Sequence, residues 1–493
     1  MRRARAHAIE ALLRDTRMAE DRTARQTALL EGPIFRSLLQ LTIPIVLATI
    51  LQSAYQLTDA FWVGRLGGYA VAAVTVSFPL MFLMIALGAG MAIAGSTLIA
   101  QYFGARNGPM VNHVAAQTLL MVALASVVFG TIGYSMAPAV LNAMGVEPEV
   151  LPAATQFMRV SFVGLVFVFG FAMIQAVLRG VGEVRLPLYI VLGTVLLNFV
   201  LDPLLIFGIG PIPATGVAGA ALATIGTQSL AAVAGLALLL SGRYGIHLAL
   251  HHFRPDLPFF KRAFLLGFPA SVEQTARALG LTVMTFLVAR FGTVTMAAYG
   301  IGFNVLSFVI IPAMGLSMAT STLVGQNIGA GKIERAESIA RLSGVISFVG
   351  LTAIGLGVFV SAVPIVRFFV PADDAVIAAG GTFLRIVALS FGFIGLQLTL
   401  TGVFRASGNM VATMTLALVS QWVFQFPIAY ILAFHTELGA EGIWWAFPAS
   451  NVSIAVITVI WFLKGDWKRT RLTEEQRVVE EVSEEILIEE GMH

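Results

Sequence analysis

Apolar runs long enough to cross a bilayer, about 20 residues each, recur along this chain between short polar breaks. Twelve can be marked: 37–64, 70–102, 112–137, 155–178, 186–208, 214–241, 263–289, 295–327, 338–366, 376–403, 410–434 and 440–463. In hydrocarbon a segment must satisfy its own backbone groups, so each run predicts a helix. The polar breaks set the organisation. Residues 1–36 form an arginine-rich tail, 37–240 carry six spans, and 241–262 (SGRYGIHLALHHFRPDLPFFKR) are the longest interior polar interval. Residues 263–463 carry six more spans, and 464–493 form a charged tail. The start, MRRARAHAIEALLRDTRMAEDR, lacks the apolar core of a cleavable signal. Within the last tail, TEEQRVVEEVSEEILIEE (473–490) has the pattern of a solvated acidic helix, and no function is assigned to it.

The two groups of six spans are copies of one unit. IPIVLATILQSAYQLTDAFWVGRLGGYAVAA (43–73) aligns with FPASVEQTARALGLTVMTFLVARFGTVTMAA (268–298) at an offset of 225. Pro44 meets Pro269, Arg65 meets Arg290, and the register continues through Gly90/Gly315, Thr97/Thr322, Gln101/Gln326 and Gly104/Gly329. Further on, LRGVGE (178–183) matches FRASGN (404–409) at offset 226. Similar apolar helices could match by chance, but polar residues and glycines held in one register do not. Six is even, so both copies enter the membrane from the same side. The fold class expected is an all-α polytopic membrane protein, with twelve transmembrane helices in two parallel six-helix lobes and pseudo-twofold symmetry. Such repeats enclose a substrate path and switch by rocking.

Composition agrees: 58% of the residues are hydrophobic and only 12% charged, about half the charge of a soluble chain. The absence of cysteine excludes disulfides and thiolate chemistry. A net charge of +3 could suggest nucleic acid, but the basic residues sit where membrane topology places them. With the N-terminus inside, the tails and alternate loops hold nearly all of them, Arg106, Arg179, Arg185, Arg262, Lys332 and Arg405 included, against Arg65, Arg290 and Arg367 outside. Both termini are therefore expected in the cytoplasm, in a multi-pass protein of the cell membrane with no nucleic-acid partner.

Ionisable residues inside spans are costly and mark function. Gln52, Tyr55, Gln56 and Asp59 form one polar stripe on the first span, and Asn198 and Asp202 share a face of the fifth at i, i+4. If both stripes face the interior of the first lobe, two carboxylates and an amide converge there. Mutual repulsion away from water favours one shared proton; the same oxygens could instead ligate Na⁺, a hard cation. The plainer alternative is that Asp202 caps or kinks its helix before Pro203 and Asp59 sits at the outer interface. The repeat weighs against it, because the second copy carries Met284, Phe424 and Ile428 where the first has Asp59, Asn198 and Asp202. Glu273 and Arg277 form a second i, i+4 pair, either mutually neutralised or lining a cavity that senses substrate charge. Pro44 removes a backbone hydrogen bond and can hinge the first span, and its match to Pro269 suggests shared architecture.

At these residues the chain resembles the multidrug and toxic compound extrusion (MATE) family, in its DinF-like prokaryotic branch. The likeness runs over about 31–464 and rests on EGPIFRSLLQLTIPIVL, TDAFWVGRLG, LRGVGEVRLPL, NFVLDPLLIFG, GVAGAALATIG and GQNIGAGK. The resemblance implies two lobes exporting amphipathic, often cationic compounds in exchange for H⁺ or Na⁺, without a cofactor, from a monomer in a lipid bilayer. It also implies a cation-coupling site in the first lobe at Asp59, Asn198 and Asp202, with Tyr55 beside them and Thr224 as a fourth ligand. Gln52, Gln56, Gln175, Glu273 and Arg277 are then candidates for the substrate cavity, and Pro44 for a bending helix.

Two other readings compete. A flippase for lipid-linked precursors would share the repeat, though such proteins often carry two extra spans and several cavity cations. A membrane-embedded enzyme is disfavoured: His7, His113, His247, His251, His252, His435 and His493 lie in loops, tails or span ends. No HExxH, Walker A or GxSxG pattern appears.

Overall fold

A computed structural model describes residues 26–469 other than 209, 212, 243 and 245, together with residue 472. The acidic segment 473–490 lies outside the described residues, as does the first part of the N-terminal tail. Among the described residues there is no strand. The chain packs as two compact units, Met1–Gly267 and Phe268–His493.

The first unit holds α1 (Ile34–Gly64), α2 (Gly68–Gly104), α3 (Gly108–Ala143), α4 (Leu151–Gly180), α5 (Arg185–Phe207) and α6 (Val217–Leu240). Small residues let these helices close on one another. Phe162 of α4 lies where side chains at Gly130 and Gly133 of α3 would be, and Gly164 of α4 receives Ile225 of α6. A connection with a short 3₁₀ turn, Leu250–Phe253, leads to α7 (Leu257–Ala289).

The second unit takes most of α7, followed by α8 (Thr293–Gly329), α9 (Ile333–Phe369), α10 (Asp374–Ala388), α11 (Phe391–Ser407), α12 (Met410–Phe434) and α13 (Ala440–Lys464). Its core is aromatic: Phe383 and Trp444 meet edge to face at 4.6 Å, and Tyr299 stacks on Trp444 at 6.2 Å.

Ten of these helices are long and apolar enough to cross a membrane, and α10 with α11 pass together as one span bent by 50°. That bend corrects the uninterrupted run expected over 376–403. At the break the Ser390 N–H closes a tight i→i+3 bond to the Val387 carbonyl at 3.0 Å, and its hydroxyl donates to the same carbonyl at 2.8 Å. The remaining span, α7, has 33 residues but carries Glu273, Gln274 and Arg277 in its middle. Within α12, Val419–Gln425 widens into π-helical turns.

The internal repeat is physical. Helices α2 and α8 are each 37 residues, and their ends, Gly68 and Gly104 against Thr293 and Gly329, keep the offset of 225. The LRGVGE/FRASGN match has a shared mechanical cause. Gly182 and Gly408 take φ of 79° and 86°, where a side chain would be strained. The next residue then caps the following helix: Glu183 Oε1 accepts from the Leu186 N–H at 3.1 Å, and Asn409 Oδ1 from the Ala412 N–H at 3.1 Å.

Candidate cation site

Three helices of the first unit bring the predicted acids together. Helix α1 supplies Tyr55 and Asp59, α5 supplies Asn198 and Asp202, and α6 supplies Thr224. Asn198 and Asp202 are both 0% exposed, so Asp202 is a buried residue of the lobe as well as the neighbour of Pro203. Across one turn of α5, Asn198 Nδ2 donates to Asp202 Oδ1 at 3.1 Å. Thr224 Oγ1 donates to Asp59 Oδ2 at 3.3 Å, and the Asp59 and Asp202 carboxyls are close enough to act on each other electrostatically.

Thr227, one turn beyond Thr224, completes the wall. Its hydroxyl proton is spent on the α6 backbone, on the Thr224 carbonyl at 2.9 Å, so it accepts from the Tyr55 hydroxyl at 2.7 Å. Thr227 was not singled out from the sequence; its i+3 spacing from Thr224 was the available signal. On the other side Trp62 meets Phe199 and Phe207 edge to face, at 6.0 and 6.2 Å.

The oxygen inventory defines what this cluster can do. Asp59 Oδ1, Asn198 Oδ1 and Asp202 Oδ2 are buried and accept no hydrogen bond from the described residues. Buried acceptors are normally paired, and two carboxylates side by side cannot pair with each other unless a proton lies between them. Three oxygens carrying up to two negative charges suit either that proton or a small hard cation.

The rest of the predicted set is dispersed. Gln52 and Gln56 share a stripe with Tyr55 and Asp59 by spacing, but they are exposed while Tyr55 is buried. Gln175 is half-buried on α4, and Pro44 is buried within an uninterrupted α1.

In the second unit the equivalent place is filled with hydrocarbon. Met284, counterpart of Asp59, is 1% exposed in the core, and Ile428, counterpart of Asp202, packs against that core. Helices α6 and α13 begin at Val217 and Ala440, an offset of 223 that sets Phe447, also in the core, against Thr224.

Glu273 belongs to a different arrangement. It is 0% exposed, and its Oε1 accepts from Arg277 Nη2 at 3.2 Å and from Arg405 Nη2 at 2.6 Å. The pair expected from spacing is thus a triad. Arg405, placed in a loop by the sequence reading, lies in the last turn of α11. Helix α11 outruns the apolar pattern because FRAS continues the helix up to Gly408.

A repeated unit of six spans, with a buried acid cluster in its first copy, is the architecture of a membrane transporter. The chain belongs to the MatE family, whose model matches residues 44–204 and 269–431, one stretch in each unit. It is 29% identical to "Probable multidrug resistance protein YpnP" of Bacillus subtilis, over 90% of this chain and 98% of that one. It is 25% identical to "Probable multidrug resistance protein NorM" of Thermotoga maritima, over 91% and 96%. The fold matches a solved outward-facing multidrug resistance MATE family transporter of the MOP superfamily, with a TM-score of 0.83, 24% identity, and coverage of 90% of this chain and 99% of that one. It equally matches a MOP superfamily transporter from Pyrococcus furiosus, with a TM-score of 0.83, 24% identity, and coverage of 91% and 99%.

Proposed function

We propose that this chain is a secondary active antiporter that exports amphipathic, often cationic compounds in exchange for H⁺ or Na⁺. The observation that carries the reading is the buried Asp59–Asp202 pair with its unpaired oxygens, together with apolar residues at the same places in the second unit. A scaffold requirement would recur in both copies; one ion site need occur once. The relatives named as multidrug resistance proteins fit a role in export of small compounds.

In this reading the ion sits among Asp59, Asn198, Asp202 and Thr224. Its arrival neutralises charge that would otherwise repel across α1 and α5, so binding favours their approach; its release favours their separation. Alternating access couples that change to the cargo path, with both termini in the cytoplasm as the lysine and arginine distribution requires. The unit works as a monomer in the cell membrane.

The test is transport in proteoliposomes loaded with a fluorescent cationic dye, with pH and Na⁺ gradients imposed separately. One gradient should drive dye movement in the wild type, and D59N and D202N should abolish it while remaining folded in the bilayer. Undiminished gradient-driven transport by both variants would sink the site. Movement of a lipid-linked sugar without movement of the dye would favour the flippase instead.

A further inference from the structure

Away from the cation cluster, the first unit has a groove of about 660 Å³ between α3, α4 and α6. Its lining is apolar for most of its length: Val160 and Val163 from α4, Leu222 and Ile225 from α6. Toward the end where α3 finishes and α4 begins, Thr155, Gln156 and Arg159 join the lining beside Leu151 and Pro152.

Arg159 is the anomaly. Its guanidinium lies over the Tyr134 ring at 5.0 Å, and its Nε is buried with no hydrogen-bond partner among the described residues. A cation held in an apolar span without a counter-ion is expensive. In the second unit Arg405 shows the usual remedy, an acid at 2.6 Å; Arg159 has none among the described residues.

Three features identify what would complete it. The charge repels a cationic cargo and attracts an anion. The groove opens on a membrane-facing surface, since Val163 is 64% exposed and α3 beside it exposes Val127, Val128 and Ile132. Depth supplies the third: from Leu151, where α4 starts, Arg159 is about 12 Å along the helix at 1.5 Å per residue. A 30-residue helix of about 45 Å matches a whole bilayer with its headgroups. The guanidinium therefore lies just below the headgroups, within reach of their phosphates by extending upward.

We infer that this groove binds an anionic phospholipid, with its phosphate on Arg159, Gln156 and Thr155 and an acyl chain along Val163, Leu222 and Ile225. The site backs onto the cation cluster, because Thr224 of that cluster and Ile225 of the groove are adjacent residues of α6. A seated lipid would hold α6 against α4.

Native mass spectrometry of the purified full chain, titrated with phosphatidylglycerol or phosphatidylcholine, tests the assignment. The wild type should retain one phosphatidylglycerol about fivefold more tightly than phosphatidylcholine, the factor that one cation contributes at an anionic headgroup. R159Q should abolish that preference and R159K should keep it. V163W, at an exposed position, should fill the groove and weaken phosphatidylglycerol retention with Arg159 intact, so the test survives if R159Q does not fold. Equal retention of the two lipids by the wild type, or an unchanged preference in both R159Q and V163W, would overturn the inference. Displacement of the lipid by a transported dye would do so too, making the groove part of the cargo path.

Discussion

Asn198 holds Asp202 by a 3.1 Å hydrogen bond within α5 and keeps its own Oδ1 free toward the cluster. It therefore both orients one carboxylate and adds an oxygen. Hydrogen bonds to charged groups contribute about 1.5–3 kcal/mol. Asn198→Ala should accordingly weaken the coupling ion by about tenfold or more. The measurement is the driving-ion concentration that gives half-maximal dye transport in proteoliposomes. An unchanged value would remove Asn198 from the proposed site.

Tyr55 should act through position, not charge. Its hydroxyl bonds Thr227 at 2.7 Å, so Tyr55→Phe and Thr227→Val should each cost about 1 kcal/mol. The double variant should cost less than the sum, because the second change removes a bond already broken. Thermal unfolding in detergent reads all three. Strict additivity would mean that the hydroxyls do not interact.

The triad around Glu273 predicts an order of damage. Removing the acid leaves Arg277 and Arg405 as like charges around a buried site, a loss of about 3–5 kcal/mol for a broken buried pair. Removing one arginine leaves the acid with the other. Glu273→Ala should therefore destabilise the second unit most. Arg405→Gln should come next, since it gives up the 2.6 Å bond, and Arg277→Gln, at 3.2 Å and with a third of its side chain exposed, should be mildest. Unfolding temperatures would check the ranking. If Arg277→Gln instead left stability intact and changed which dyes are exported, the charge-sensing reading of Glu273 and Arg277 would gain.

The repeat was readable in the sequence because its matched residues are those with fixed geometric duties: left-handed glycines such as Gly182 and Gly408, and the caps that follow them. The converging acids were readable because i, i+4 spacing puts Asn198 and Asp202 on one face whatever surrounds them. Spacing could not say which part of a polar stripe is covered by a neighbouring helix, and so did not separate buried Tyr55 from exposed Gln52 and Gln56. The Arg405 contact lies 132 residues from Glu273 in the chain, and nothing local announces it. The break at Ser390 was hidden for a related reason: serine in an apolar run is compatible with an unbroken helix.

The connection between the units should respond to acid. Gln117 of α3 donates to the carbonyls of His252 and Arg254, each at 2.6 Å, and accepts from the Asp256 N–H at 3.0 Å. Within that strap His252 Nδ1 accepts from the Ala249 N–H at 3.1 Å, which requires an unprotonated nitrogen. Burial, then the charges of His251 and His113, push the His252 ring below its ordinary value of 6.5. A histidine whose pKa is depressed when docked binds fewer protons there than when released, so the docked form loses stability as pH falls below that ordinary value. Asp256, hydrogen-bonded to His113 Nε2 at 3.1 Å, faces the same strap. Amide hydrogen exchange over 246–256, corrected for intrinsic rates, should therefore be faster at pH 5.5 than at pH 8. In His252→Gln the difference between the two pH values should shrink. An equal difference in wild type and variant would show that His252 does not carry the response.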